Sequence, residues 1–305
     1  MSLPVLLLAL LLPLLVLAVI ALLLLALLRP DSTGLDRRQL GIRWAGIGLG
    51  LLAAVLLLGT GSLPGRLGHG ALAGTAPLVG VGVLIAVVLL GERRLSGTLG
   101  TVRRASLQPH GPIEVLPRIT TAFTAVVVIG LGALMAVTTS LASPDDQGRA
   151  GRALSMVVAG EDGQTISATS SPYPGSWSTL PAGIVLLLLA GLAALALRGI
   201  VSRRSASDPG DLLLRRRSAT AVLGAVLLGS GALAVVIAMF ALMKRSQVAA
   251  NLAGAGAQMS PGTAAIEALE PIMLVLGVVA VAWGLVLVLA PSLLAVAPLA
   301  QKATR

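Results

Sequence analysis

The sequence predicts an all-α fold: a polytopic membrane helix bundle of about seven transmembrane helices, N-terminus outside and C-terminus inside. Three observations carry this. Of 305 residues, 56% are apolar and 11% charged, under half the charge of a typical soluble domain, so water cannot be the main solvent. Aromatic residues make up only 2%; the apolar runs are therefore Leu, Ala, Val and Gly, which suit closely packed helices better than a barrel with its aromatic girdles. The third is run length, since about 20 apolar residues of helix cross a hydrocarbon core of about 30 Å.

The runs are 3–28, 44–60, 72–90, 119–142, 181–197, 218–243 and 272–290, forming one integral membrane domain over 1–305. The first is too long for the apolar core of a signal peptide, no basic residue precedes it and Arg29 follows it, so it is expected to stay as an anchor helix. With the N-terminus outside, the inner segments hold Arg29, Arg37, Arg38, Arg43, Arg93, Arg94, Arg103, Arg104, Arg118, Arg198, Arg203, Arg204, Arg215, Arg216, Arg217, Lys302 and Arg305. The outer segments hold Arg66, Arg149, Arg152, Lys244 and Arg245, a bias of roughly three to one toward the cytoplasm. The weakest joint is the sixth run, because Lys244-Arg245 follow it on the outer side. The net charge of +10 is thereby assigned to loops that meet anionic lipid head groups, and not to nucleic acid.

Within these runs no Asp, Glu, Lys, Arg or His occurs, which argues against a proton-coupled carrier, an ion pump or an intramembrane metalloprotease. Gly46 with Gly50, Ala190 with Ala194, and Gly224, Gly229 and Gly231 are small residues that let helices approach closely. Thr120, Thr121, Thr124, Thr138, Thr139 and Ser140 are expected to bond their own backbone or a neighbouring helix.

The main outer loop, 143–180, opens with SPDDQGRAGRAL. Ser143 is placed to cap a helix, with Pro144 first and Asp145 and Asp146 in the first turn, where negative charge complements the dipole. Asp145 and Arg149 are four apart, Ala150, Ala153, Leu154, Val157 and Val158 share a side, and Gly160 offers a stop. A short amphipathic helix over 143–158 is therefore expected. A functional reading of the same residues makes Asp145, Asp146, Arg149 and Arg152 an outer-face contact. Arg149 and Arg152, three apart on a helix, would hold a lipid phosphate, a cell-wall polyanion or the acidic patch of a membrane-protein partner. The loop ends in SSPYPGSWSTLP; Tyr173 and Trp177 either rest at the interface or form an aromatic lid over a cavity. For Glu267 and Glu270, further along, capping and solvation suffice.

Catalytic and cofactor patterns are few. There is no cysteine, which removes thiol catalysis, disulfides and Cys-ligated metals. No P-loop or dinucleotide fingerprint occurs, His69 and His110 fall in loops on opposite sides, and adjacent aspartates without histidine make a poor metal site. No cofactor and no enzymatic activity are expected.

Two resemblances add to this. GERRLSGTLGTVRRASLQPH is similar to the cytoplasmic coupling segment of ABC-2 type exporter permeases, which implies a permease for a neutral or amphipathic substrate whose residues 92–108 dock on a separate ATPase. Those permeases have six spans and begin in the cytoplasm, so the topology departs from theirs. SPDDQGRAGRAL, PGSW followed by LP, and LRRRSA, in this order, resemble a group of uncharacterised multi-pass membrane proteins of high-GC Gram-positive bacteria. This resemblance implies a bacterial plasma-membrane protein and carries no functional residues. The expectation is a non-enzymatic accessory or partner-binding membrane protein, with the permease as the alternative.

Overall fold

A computed structural model describes residues 34–62, 70–96, 115–159, 164–202, 209–256 and 264–290. Six helices among them are long and apolar enough to cross a membrane: α1 Gly34–Gly59, α2 Ala76–Ser96, α3 Arg118–Leu141, α4 Ser176–Val201, α5 Pro209–Gly254 and α6 Ala264–Leu289. They coincide with six of the seven expected runs. The run 3–28 lies outside the described residues, as do His69, His110 and most of 92–108.

Helices successive in the chain alternate in direction. Ile42 near the start of α1 meets Gly91 near the end of α2, and Gly199 at the end of α4 faces Leu89. At the start of α5, the Arg215 guanidinium donates to the Val201 carbonyl at the end of α4 (3.2 Å), satisfying an acceptor that a helix terminus leaves open. One end of the bundle thus carries Arg43, Arg118, Arg198 and Arg215 to Arg217.

α5 is the central helix, in contact with α2, α3, α4 and α6. Ala219, Val222, Val226, Leu227, Leu233 and Ile237 are all buried, as expected of a helix apolar on every side. Its pairing with α6 depends on glycine. A Cβ on Gly284 would stand 2.6 Å from the Gly224 carbonyl oxygen, and one on Gly231 2.8 Å from that of Gly277; only hydrogen fits where the backbones touch. Gly46 and Gly50 likewise sit against Leu84 and Gly80 of α2. Ala190 and Ala194 are both exposed and face no neighbour among the described residues, and Leu189, Ala193 and Ala196 form the buried stripe of α4. The α3 threonines behave as expected, Thr124 donating to Thr120 O (2.7 Å) and Thr139 meeting Thr179 of α4 (2.6 Å).

Two expectations are corrected. The fold is mostly rather than wholly helical, because 143–158 is not a helix: Leu154–Ala159 is a strand, β1, paired antiparallel with β2, Thr165–Ser170. Gly148 and Gly151 have φ of +72° and +68°, a left-handed conformation that stops a helix and that glycine adopts without strain. Beyond them LSMVVA alternates with a period of two: Leu154, Met156 and Val158 of β1 join Ile166 and Ala168 of β2 in one apolar cluster with Ala241, Val248 and Leu252 of α5. The other correction concerns the ends of α5 and α6, which extend beyond their apolar runs and bring Lys244, Arg245 and Glu270 into helix. At 1.5 Å per residue α5 is about 69 Å long, well over the 40–45 Å of a bilayer with its head groups. It therefore projects, and the hairpin packs on the projection.

Candidate functional site

Polar side chains converge where the hairpin meets α5, in an outer and an inner layer. The outer layer is a turn built on Asp145. Its carboxylate accepts the backbone N–H of Gln147 (3.1 Å) and of Arg149 (2.8 Å), and Arg149 returns two guanidinium nitrogens to Oδ2 at 2.7 Å. Burial by itself would raise the carboxyl pKa; the Arg149 N–H, its guanidinium and the Gln147 N–H outweigh that and hold it below the usual carboxylate value. Asp145 and Arg149 thus do pair at a separation of four, but across a turn.

Arg152 goes elsewhere. Its guanidinium lies 4.9 Å from the centre of the Trp177 ring, a cation–π distance, while the Arg152 carbonyl accepts the Tyr173 N–H (2.7 Å) and Trp177 Nε1 donates to the Tyr173 carbonyl (2.7 Å). The helical spacing that would aim Arg149 and Arg152 at one anion is absent. Asp146 is exposed, and no group of three or more His, Cys, Asp or Glu able to hold a metal occurs among the described residues.

The inner layer is one that sequence reasoning missed. Arg245 of α5 donates to Glu270 of α6 at 3.0 Å, with side chains 10% and 0% exposed. Tyr173, from the segment 171–175 between β2 and α4, is fully buried and covers the pair. Burial, and then the nearby Glu270 charge, push its phenol pKa well above 10.0. It faces Arg245 without a well-formed hydrogen bond, and Arg245 Nε is likewise without an acceptor. Alongside, Lys244 donates to the Ser171 carbonyl (3.0 Å) and to Gln247 (3.2 Å), which also accepts from Ser170 (2.7 Å).

Two sequence expectations change here. Tyr173 and Trp177 do come together, yet Tyr173 is no lid over an open cavity, since it is sealed against protein on all sides. Glu270 is not solvated: its side chain is fully buried against Arg245. A signal for the pair existed: Lys244-Arg245 are misplaced by the charge rule, and the next helix begins with glutamates. Of the basic residues assigned to this side, all four among the described residues are engaged: Arg149 with Asp145, Arg152 with Trp177, Lys244 with Ser171 and Gln247, Arg245 with Glu270.

The chemistry of this arrangement is attachment. Two polar ties and an apolar face fix the hairpin to the projecting end of α5, and the Tyr173 segment covers a buried ion pair that joins α5 to α6. Comparison with known proteins gives no relative: no family model, curated sequence or solved structure matches the chain.

Proposed function

We propose that this multi-pass membrane protein is a non-enzymatic accessory subunit of the bacterial plasma membrane that holds its hairpin, on the outer side, as a contact surface for a membrane or envelope partner. One observation carries the reading. The hairpin is tied to α5 by the Ser170 and Ser171 contacts beneath it, while its other face presents Val157 at 65% exposure beside Ser167 and Thr169, with Thr169 bonded only to Ser155 across the strands among the described residues. A rigid strand pair with one apolar residue among hydroxyls suits recognition without chemistry.

The orientation, N-terminus outside and C-terminus inside, is supported by charge. Arginines gather at the end opposite the hairpin, and the basic residues at the hairpin end are held in specific contacts, so they do not contradict a cytoplasmic bias. The backbone contacts between α5 and α6 leave no passage between those two helices, which favours the accessory reading over the permease.

The test is photocrosslinking in native membranes from Val157 replaced by a benzophenone amino acid, with Leu58, exposed on α1, as the lipid-facing control. A discrete protein adduct from Val157, abolished by Thr169→Lys, is the expected result. Adducts equal at both positions, or a hydrolytic activity that depends on Asp145, would overturn the reading.

A further inference from the structure

We infer that the Arg245–Glu270 pair is a charge-gated latch: the hairpin stays seated on α5 while Glu270 is ionised and lifts when that charge is removed. The inference stands on the geometry of the pair and holds whether or not the hairpin binds a partner.

Among the described residues, two elements bring charged or titratable groups to Glu270. From α5, Arg245 meets it at 3.0 Å, while Lys244 is turned to Ser171 and Gln247. From the segment between β2 and α4, Tyr173 covers both partners, its phenol neutral because burial raises its pKa. With Glu270 neutral, Arg245 is left as a buried cation beneath an uncharged cover, and such a charge is relieved only by a counter-ion or by water.

The fold decides which element yields. Helices α5 and α6 are joined by backbone contacts at Gly231 with Gly277 and Gly224 with Gly284, which hold the two helices together along the bundle away from the pair. The cover is held more lightly, by the Lys244 bond to Ser171, the Ser170 bond to Gln247 and a small apolar face. Water therefore reaches Arg245 by displacing 171–175 and the hairpin attached to it. Protonating Glu270 has the same effect as removing its charge by substitution, so the hairpin lifts as pH falls.

Hydrogen exchange on the full chain in lipid nanodiscs tests this, with rates corrected for intrinsic pH dependence. In the native protein, amides of 154–159 and 165–170 should be protected at neutral pH and exchange about tenfold faster or more once Glu270 is protonated. Glu270→Gln should show the fast exchange at every pH, with 224–231 still protected. The double variant R245M/E270M removes both charges at similar volume and should keep the hairpin seated at every pH. Native protection of the hairpin in Glu270→Gln, or a hairpin that opens in R245M/E270M, would overturn the latch. Should Glu270→Gln lose protection at 224–231 as well, the double variant decides: flat, native-like hairpin protection supports the latch and a fast-exchanging hairpin refutes it.

Discussion

Replacing Gly284 by alanine should loosen the central helix pair, and the size of the effect follows from what the new methyl would meet. A Cβ at Gly284 lies 2.6 Å from the Gly224 carbonyl oxygen, 2.6 Å from the Leu228 nitrogen and 3.0 Å from the Leu228 Cα. All three are backbone atoms of α5, so no rotamer change relieves them, and contact near 3.5 Å requires the helices to part by about 1 Å. Overpacking of this kind costs about 1–3 kcal/mol. The matched control is Gly191→Ala on α4, where a Cβ meets nothing within 4 Å. Both substitutions gain the same helix propensity, about 1 kcal/mol, so their difference isolates the clash. Reversible unfolding of both variants in bicelles, followed by steric trapping, should place Gly284→Ala about 1–3 kcal/mol below Gly191→Ala. Equal stabilities would refute the backbone contact between α5 and α6.

Two further outcomes are expected. Tyr173→Phe should change stability by less than about 1 kcal/mol because the hydroxyl makes no well-formed hydrogen bond, whereas Tyr173→Ala should lose about 3–5 kcal/mol by opening a cavity over Arg245; thermal unfolding distinguishes them, and equal losses would contradict the geometry. The Asp145 carboxyl is held below its usual value of 3.8, so the turn should stay intact through the ordinary carboxylate range. It should open as pH falls through the lowered pKa, where protonation removes the negative charge that the Arg149 amide and guanidinium bind. Asp145→Ala should expose that amide at every pH, as read by its exchange rate in NMR spectra.

The helices were legible because the evidence for them is local. An apolar run and its flanking arginines lie within one stretch of chain, and Gly46, Gly50, Gly224, Gly229 and Gly231 announce close approach by their size alone. The hairpin was not legible in the same way. SPDDQ satisfies every local rule for a helix start, and the glycines that undo it, Gly148 and Gly151, act through backbone conformation, while β1 acquires its character from β2, which begins only after 160–164. Ala190 and Ala194, exposed among the described residues, are a related case: a small-residue spacing marks a face able to pack without saying which neighbour occupies it. The latch illustrates the limit most clearly. Arg245 and Glu270 are 25 positions apart on different helices, and only the docking of Tyr173 from a third segment turns two unremarkable loop charges into a buried pair.

The absence of cysteine in the native chain makes single introduced thiols unambiguous reporters, and they give the most direct test of a hairpin docked on α5 at the outer face. Val157→Cys and Ala168→Cys would be treated in intact cells with a membrane-impermeant maleimide. Val157 is 65% exposed and Ala168 6%. The expected result is rapid labelling of Val157→Cys from outside and labelling of Ala168→Cys only after denaturation. Equal labelling of the two would contradict the docked hairpin, and labelling of Val157→Cys only after lysis would place the hairpin in the cytoplasm.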